Sequence, residues 1–233
     1  MTRLAIVPAR GGSKRIPGKN IRPFAGTPMI GHAIKAARDA GLFDAVIVST
    51  DSERIADVAR DFGAATPFLR PPELADDHTG TLPVIAHAIT EMSNRGMKAE
   101  WVCCIYPCTP FLQATDLQGG LESLLGAKSA YAMSVCQFPS PPQRALRMEH
   151  DGRLRSLDSS NESARTQDLE PAYFDAGQFY WGHASAWCMA TPIHQNAVGV
   201  PVHWTRAIDI DTEEDWLKAE AIHRVFGPEM RRS

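Results

Sequence analysis

The first half of the chain alternates short apolar runs with longer segments of helical character. The apolar runs are typical of strands covered on both faces and occupy residues 4–7, 45–49 and 101–106. The predicted helices occupy residues 28–40, 52–62, 82–94 and about 115–126. Repeated units of this kind imply an α/β fold with a mainly parallel sheet and helices on both faces. The loops that follow its strands then share one rim, where such sheets bind ligands.

Local signals predict where several helices begin. Asp51 and Thr81 precede helical segments and are predicted to cap them. Thr212 with Asp215 three residues later resembles a capping box, so a final helix is expected there.

The strand–helix rhythm changes after about residue 130. A strand is predicted at 130–138, and prolines interrupt the segment after it. A hairpin is predicted at 144–157 around the turn dipeptide Asp151-Gly152, and strand character returns at 179–181. We therefore expect a single domain, 1–233, that carries an inserted arm at about 138–180.

A loop rich in glycines and cations follows the first strand, in the segment IVPARGGSKRIPGKN (6–20). Its glycines let the backbone approach a ligand, and its four cations favour a polyanion such as a triphosphate. The cations are Arg10, Lys14, Arg15 and Lys19. The spacing differs from that of a Walker A loop, and the segment lacks the dinucleotide fingerprint.

Two acids precede the last predicted helix, in the segment AIDIDTEEDW (207–216). In an extended strand Ile208 and Ile210 would face the core, whereas Asp209 and Asp211 would share the opposite face. Paired carboxylates suit Mg²⁺ that carries substrate phosphates. The alternative is that the acids complement the N-terminus of the helix, although Glu213, Glu214 and Asp215 already supply that charge.

Composition excludes several classes of function. The net charge of −3 argues against a general nucleic-acid binder. No apolar run is long enough to cross a membrane, and the apolar N-terminal stretch is too short for a signal peptide, so a cytoplasmic location is expected. The five cysteines lack the spacing of a zinc site or a disulfide framework.

The opening segment resembles the nucleotide loop of the cytidylyltransferases that activate sialic-acid-type sugars. Three further segments are similar to the pseudaminic acid cytidylyltransferase branch of that family: FLRPPELADDHTGT (68–81), ARTQDLEPAYFDAGQFYWG (164–182) and DIDTEEDW (209–216). The resemblance implies a Rossmann-like nucleotidyltransferase fold, with CTP and a nonulosonic acid as substrates and Mg²⁺ as cofactor. It also implies a homodimer in which the arm of one subunit helps to close the site of the other.

The resemblance also implies roles for particular residues. The nucleotide-binding set is Ala9, Arg10, Gly11, Gly12, Ser13, Lys19, Asn20, Arg70, Asp77, Thr79 and Thr81. Asp209 and Asp211 would hold the metal, and Arg10, Lys19 and Asp211 would act in catalysis. The candidate base is Asp211 or a water on the metal, and the sequence leaves both open.

The sugar-binding candidates are Tyr106, Arg165, Gln167, Tyr173 and Gln178. Tyr106 lies in a Tyr-Pro-Cys-Thr-Pro stretch where sialic acid synthetases typically have Gln, and an aromatic ring there suits a deoxygenated, bis-acetamido sugar. The alternatives are activation of sialic, legionaminic or 3-deoxy-octulosonic acid, a non-catalytic nucleotide-binding protein and, less favoured, a nicotinamide-dependent dehydrogenase.

Overall fold

The computed structural model describes residues 1–161 and 164–230 of the chain. In chain order its strands are β1 (Arg3–Pro8), β2 (Pro23–Phe24), β3 (Thr27–Pro28), β4 (Ala45–Ser49), β5 (Trp101–Ile105), β6 (Tyr131–Gln137), β7 (Leu146–Met148), β8 (Leu154–Ser156), β9 (Tyr173–His183) and β10 (Ala197–Pro201). Its α-helices are α1 (Met29–Asp39), α2 (Glu53–Asp61), α3 (Thr81–Asn94), α4 (Ala114–Gly126), α5 (Ala184–Cys188) and α6 (Glu213–Met230).

The central sheet has the strand order β10-β6-β9-β5-β1-β4. The pairs β1–β4, β1–β5 and β10–β6 are parallel, whereas β9 runs antiparallel to both of its neighbours, β5 and β6. The prediction of a mainly parallel α/β sheet is therefore confirmed.

Helices cover both faces of this sheet. Alternate residues of β1 therefore pack into two different apolar cores. Ala5 and Val7 pack with residues of α1, α2 and α4. Leu4 and Ile6 pack on the other face with residues of α3 and α5. A separate apolar cluster anchors the start of α6 through Trp216. None of the helices in the described residues combines the length and hydrophobicity that a membrane-spanning helix requires.

The predicted helix caps were partly wrong. Ser52 is the N-cap residue of α2, and the Asp51 carboxylate instead accepts a hydrogen bond from the Gly11 N–H at 2.8 Å. Thr81 is the first residue of α3 rather than its cap. The capping box at α6 is confirmed, because Thr212 and Asp215 exchange side-chain to backbone hydrogen bonds of 2.8 and 3.2 Å.

The segment after β6 leaves the sheet and carries the predicted hairpin, formed by the antiparallel strands β7 and β8. The expected arm at about 138–180 is too long at its C-terminal end. Strand β9 begins at Tyr173 and pairs with β6 from Gln137 onward, so the excursion from the sheet spans 138–172.

Candidate active site

A crevice of about 370 Å³ lies at the carboxyl ends of the parallel strands. It brings the glycine-and-cation loop and the two acids of the 209–211 segment into one site. The predicted residues that line it are Arg10, Ser13, Lys19, Asn20, Arg70, Thr79, Thr81, Tyr106, Asp209 and Asp211.

The glycine-and-cation loop is held by hydrogen bonds to its neighbours. The Ala9 N–H donates to the Ser49 carbonyl at 2.9 Å, and the buried Asn20 amide donates to the Arg10 carbonyl at 2.9 Å. Ala9 is fully buried, whereas Gly11 and Gly12 are exposed and lie outside the crevice lining. These bonds give the loop a defined shape.

The loop cations pair with two aspartates. Arg10 lies 2.6 Å from the Asp77 carboxylate, and Lys14 contacts the same carboxylate. Asp77 itself lies outside the crevice lining, and the two cations hold the pKa of its carboxyl group below the usual value. Asp77 therefore contacts the cations that were predicted to bind phosphate.

Asp211 is the partner of the other two loop cations. Lys19 donates to the Asp211 carboxylate at 3.1 Å and to the Ile210 carbonyl at 2.6 Å. Arg15 lies 2.8 Å from the second oxygen of Asp211. Lys19 is the least exposed of the cations in these pairs. Its ammonium group connects the N-terminal loop to the segment that precedes α6.

The predicted strand around the acid pair is absent from the described residues, since 207–211 form no ladder. The predicted alternation is nevertheless present. Ile208 and Ile210 are buried in the cluster of Trp216, whereas Asp209 and Asp211 line the crevice. Anchoring of the two isoleucines, rather than sheet pairing, turns both carboxylates toward the site.

The acid pair offers two carboxylates to a divalent cation, which is fewer than the three ligands of a complete protein site. Within residues 1–161 and 164–230 no group of three or more His, Cys, Asp or Glu side chains is arranged to hold a metal ion. Mg²⁺ commonly takes only one or two carboxylates and fills its other positions with water and substrate phosphates. Desolvation, followed by repulsion from Asp211, raises the pKa of Asp209, and a cation between the two acids would relieve that repulsion.

Arg70 is a buried cation in the crevice wall. Its guanidinium donates to the Ser49 hydroxyl at 3.1 Å and also contacts the Ser49 carbonyl. Burial is the main cause that lowers its pKa to about 10, so the side chain remains charged at neutral pH. A buried charge held at a rim suits recognition of an anionic or carbonyl-bearing ligand.

Tyr106 contributes an aromatic ring to the crevice wall, and Tyr180 packs behind it outside the lining. The Tyr106 ring lies 5.3 Å from the Tyr180 ring, and the hydroxyls of Tyr106 and Thr81 share a hydrogen bond of 2.7 Å. Burial raises the pKa of Tyr106 to about 12, so its hydroxyl stays protonated. The crevice lining thus combines charged groups with the neutral hydroxyl and ring of Tyr106.

Four of the five sugar-binding candidates lie outside the crevice lining. Arg165 is exposed and pairs with Asp168 at 2.7 Å, and Gln167 and Tyr173 are exposed on or beside the arm. Gln178 is buried, and its amide donates to the Arg206 carbonyl at 2.5 Å. Of the five, Tyr106 alone lines the crevice.

Two site features were missed by sequence reasoning. Asp51 holds the glycine loop, and its place directly after a buried strand at the shared rim was the available signal. Gly177 lines the crevice from within β9, and a glycine inside a strand indicates a bulge or a close approach.

Comparison with known proteins agrees with this geometry. A family model described as cytidylyltransferase matches residues 4–185, and the chain belongs to that family of nucleotidyltransferases. It is 36% identical over 228 residues to a pseudaminic acid cytidylyltransferase of Campylobacter jejuni, covering 97% of each chain. It is 30% identical to a CMP-N,N'-diacetyllegionaminic acid synthase of Legionella pneumophila, covering 94% of this chain and 95% of that one.

The fold also resembles a solved structure. A CMP:2-keto-3-deoxy-manno-octonic acid synthetase in complex with CTP matches with a TM-score of 0.71 and 17% identity, covering 96% of this chain and 99% of the other. The prediction of a nucleotidyltransferase fold is therefore confirmed.

Proposed function

We propose that this enzyme joins CTP and pseudaminic acid to give CMP-pseudaminic acid and pyrophosphate. The observation that carries the proposal is the shared crevice, which is lined by the loop cations, a buried arginine, the Tyr106 ring and a pair of acids. The name of the Campylobacter jejuni relative supports the choice of sugar, and the aromatic Tyr106 suits a sugar with deoxygenated and acetamido groups.

In the proposed reaction the anomeric hydroxyl of the sugar attacks the α-phosphorus of CTP in line. The new phosphorus–oxygen bond forms as the bond to the β-phosphate oxygen breaks, and pyrophosphate leaves with that electron pair. Arg10 and Lys19 offset the charge on the leaving group, since such reactions depend mainly on positioning and charge neutralisation. We assign acceptance of the hydroxyl proton to Asp211.

The acid pair is also proposed to hold Mg²⁺. Asp209 and Asp211 would be its protein ligands, and the ion would polarise the α-phosphate when bound. Asp211 pairs with Lys19 and Arg15, so its carboxylate links the metal position to the cations around the triphosphate.

We also propose that the protein forms a homodimer, in which a second copy of the chain packs against the arm. The β7–β8 hairpin exposes Leu146, Met148 and Leu154, each more than half exposed. Arg165 and Gln167 on the same arm lie outside the crevice of their own protomer, which supports a role at the crevice of a second copy. Met148 pairs with Leu154 across the hairpin, and exposed apolar side chains that lie together are typical of protein contacts.

The proposed function is tested by product formation. The protein is incubated with CTP, Mg²⁺ and one of four acids, namely pseudaminic, legionaminic, sialic or 3-deoxy-octulosonic acid. Pyrophosphate release is measured, and the CMP-sugar is identified by mass spectrometry. We expect the highest kcat/KM with pseudaminic acid. Preference for legionaminic acid, which the Legionella pneumophila relative would suggest, overturns the choice of sugar, and no product with any acid overturns the activity.

A further inference from the structure

Strand β9 leaves regular pairing beside the crevice. Met133 of β6 pairs with Tyr180 and Val135 pairs with Asp175, so the single residue Ser134 faces the four residues 176–179. On its other edge β9 keeps its pairing with β5, where Ile105 pairs with Phe179. The result is a bulge in β9, which lies between β5 and β6. Such bulges commonly change the direction in which groups point near active sites.

Buried groups hold this bulge. The Ser134 hydroxyl oxygen is fully buried and accepts hydrogen bonds from the N–H groups of Gln178 and Phe179 at 3.2 and 3.3 Å. The Gln178 carbonyl accepts from the Tyr106 N–H at 2.9 Å. The extra residues are therefore a defined part of the sheet, and they connect directly to the residue that forms the aromatic wall.

The bulge presents Gly177 to the crevice. Gly177 has a φ of +62°, a left-handed conformation that favours glycine, and it lines the crevice. A Cβ atom built at this position meets no atom within 4 Å. The backbone here borders open space that a side chain would otherwise enter.

One carboxylate joins the bulge to the aromatic wall. Asp175 accepts a hydrogen bond from the Gly177 N–H at 2.8 Å with one oxygen and from the Tyr180 hydroxyl at 2.8 Å with the other. Tyr180 packs against Tyr106, whose hydroxyl bonds to Thr81. The exposed His194 lies 3.1 Å from the same oxygen that Tyr180 contacts.

We infer that Asp175 is a positioning residue for the sugar acid, which it affects through Gly177 and through Tyr180, which packs against Tyr106 of the crevice lining. This inference rests on the proposed function. Asp175 itself is not in the crevice lining, and its side-chain hydrogen bonds within the described residues go to Gly177, Tyr180 and His194 rather than to the glycine-and-cation loop or the acid pair. An Asn side chain has one acceptor oxygen instead of two, so it cannot accept from both the Gly177 N–H and the Tyr180 hydroxyl. Loss of one of these hydrogen bonds should therefore loosen the crevice around Gly177 and Tyr106 and leave nucleotide binding intact.

The test compares steady-state kinetics of the wild type, Asp175→Asn, Tyr180→Phe and the double variant. We expect the KM for pseudaminic acid to rise roughly tenfold in Asp175→Asn, with the KM for CTP and the melting temperature nearly unchanged. The double variant should raise the KM for pseudaminic acid no further than the more affected single variant, because both substitutions disturb the same hydrogen bond between Asp175 and Tyr180. His194→Ala is the matched control: it removes the exposed neighbour of the same carboxylate and should leave both KM values unchanged.

A second variant keeps the inference testable if Asp175→Asn folds poorly. Gly177→Ala places a methyl group toward the open crevice and should raise the KM for the sugar acid selectively. A folded Asp175→Asn protein with an unchanged sugar KM, or with equal rises in both KM values, overturns the inference alone. Absence of turnover by the wild type with every sugar acid, despite CTP binding, overturns the proposed function and the inference with it.

Discussion

At the scale of single residues, Asp77 is ion-paired through its carboxylate with two cations that we propose bind the triphosphate of CTP. Its carboxylate pairs with Arg10 and Lys14 and must be displaced when phosphate oxygens bind them. Asp77→Asn should therefore bind CTP about two- to fivefold more tightly, the scale of an exposed ion pair. Calorimetric titration with CTP measures the change.

The control for Asp77→Asn is Asp57→Asn, which removes an acid from an exposed ion pair with Arg60 on α2. It should leave CTP affinity unchanged. Weaker CTP binding by Asp77→Asn would show that the carboxylate itself supports the nucleotide, as the family resemblance implies.

Cys108 is a crevice residue whose thiol should react slowly. Burial raises its pKa to about 12, so the reactive thiolate is scarce at pH 8, and its Sγ donates to the Asn20 side chain at 3.3 Å. Iodoacetamide at pH 8, followed by peptide mass spectrometry, should modify the exposed Cys188 well before Cys108. Equal rates for the two thiols would contradict this account of the crevice.

The candidate residues in the crevice could be predicted largely because of where they stand in the sequence. Arg10 and Tyr106 follow buried parallel strands, and the carboxyl ends of such strands meet at one rim. Asp51 was predicted to cap a helix, because a local pattern does not reveal that a glycine N–H from another loop lies nearby. The exposed positions of Arg165 and Gln167 also depend on the path of the arm, which no local pattern determines.

At the scale of elements, one ion pair links helix α4 to the segment before α6. Asp116 completes the capping box of α4 with Gln113 and also pairs with the nearly buried Arg206. Asp116→Ala should lower the free energy of unfolding by about 3 kcal/mol, because it leaves Arg206 buried without its partner. Urea denaturation measures the loss.

Glu122→Ala provides the control on the same helix, because Glu122 is exposed on α4. Its effect on the free energy of unfolding should stay within about 0.5 kcal/mol. A loss of similar size in both variants would show that the Asp116 contacts contribute little.

The elements differ in how well sequence predicts them. The continuous apolar run of β4 was predicted at its exact bounds, because a strand covered on both faces needs only apolar residues. Strand β9 was recognised over three residues of its eleven, since Asp175, Gly177 and Gln178 break the pattern where the bulge forms. The expected strand at the acid pair was wrong because alternation of apolar residues can also come from anchoring in a cluster.

At the scale of the whole molecule, the arm raises the question of whether each site draws on two chains. Arg165 lies on the arm and outside its own crevice, whereas Asp211 lies within the crevice. Mixed dimers of Arg165→Ala and Asp211→Asn chains, isolated with two different tags, should recover about half of the wild-type activity, because one of their two sites combines intact residues from both chains.

The parent homodimers of each variant serve as the controls and should be nearly inactive. Mixed dimers as inactive as the parents would show that Arg165 acts in its own protomer, whereas an active Arg165→Ala parent would show that Arg165 has no role in turnover. Failure to isolate any doubly tagged species would contradict the proposed dimer itself.

The central claim is that the glycine-and-cation loop and the acid pair act together on one bound nucleotide. Asp211→Asn tests it most directly, with turnover and CTP affinity measured on the same preparation and Glu213→Gln, an exposed acid two residues away, as the control. We predict that Asp211→Asn loses roughly 100-fold or more in kcat while its Kd for CTP stays within about threefold, and that Glu213→Gln behaves as the wild type. Near-normal turnover by Asp211→Asn would contradict the claim.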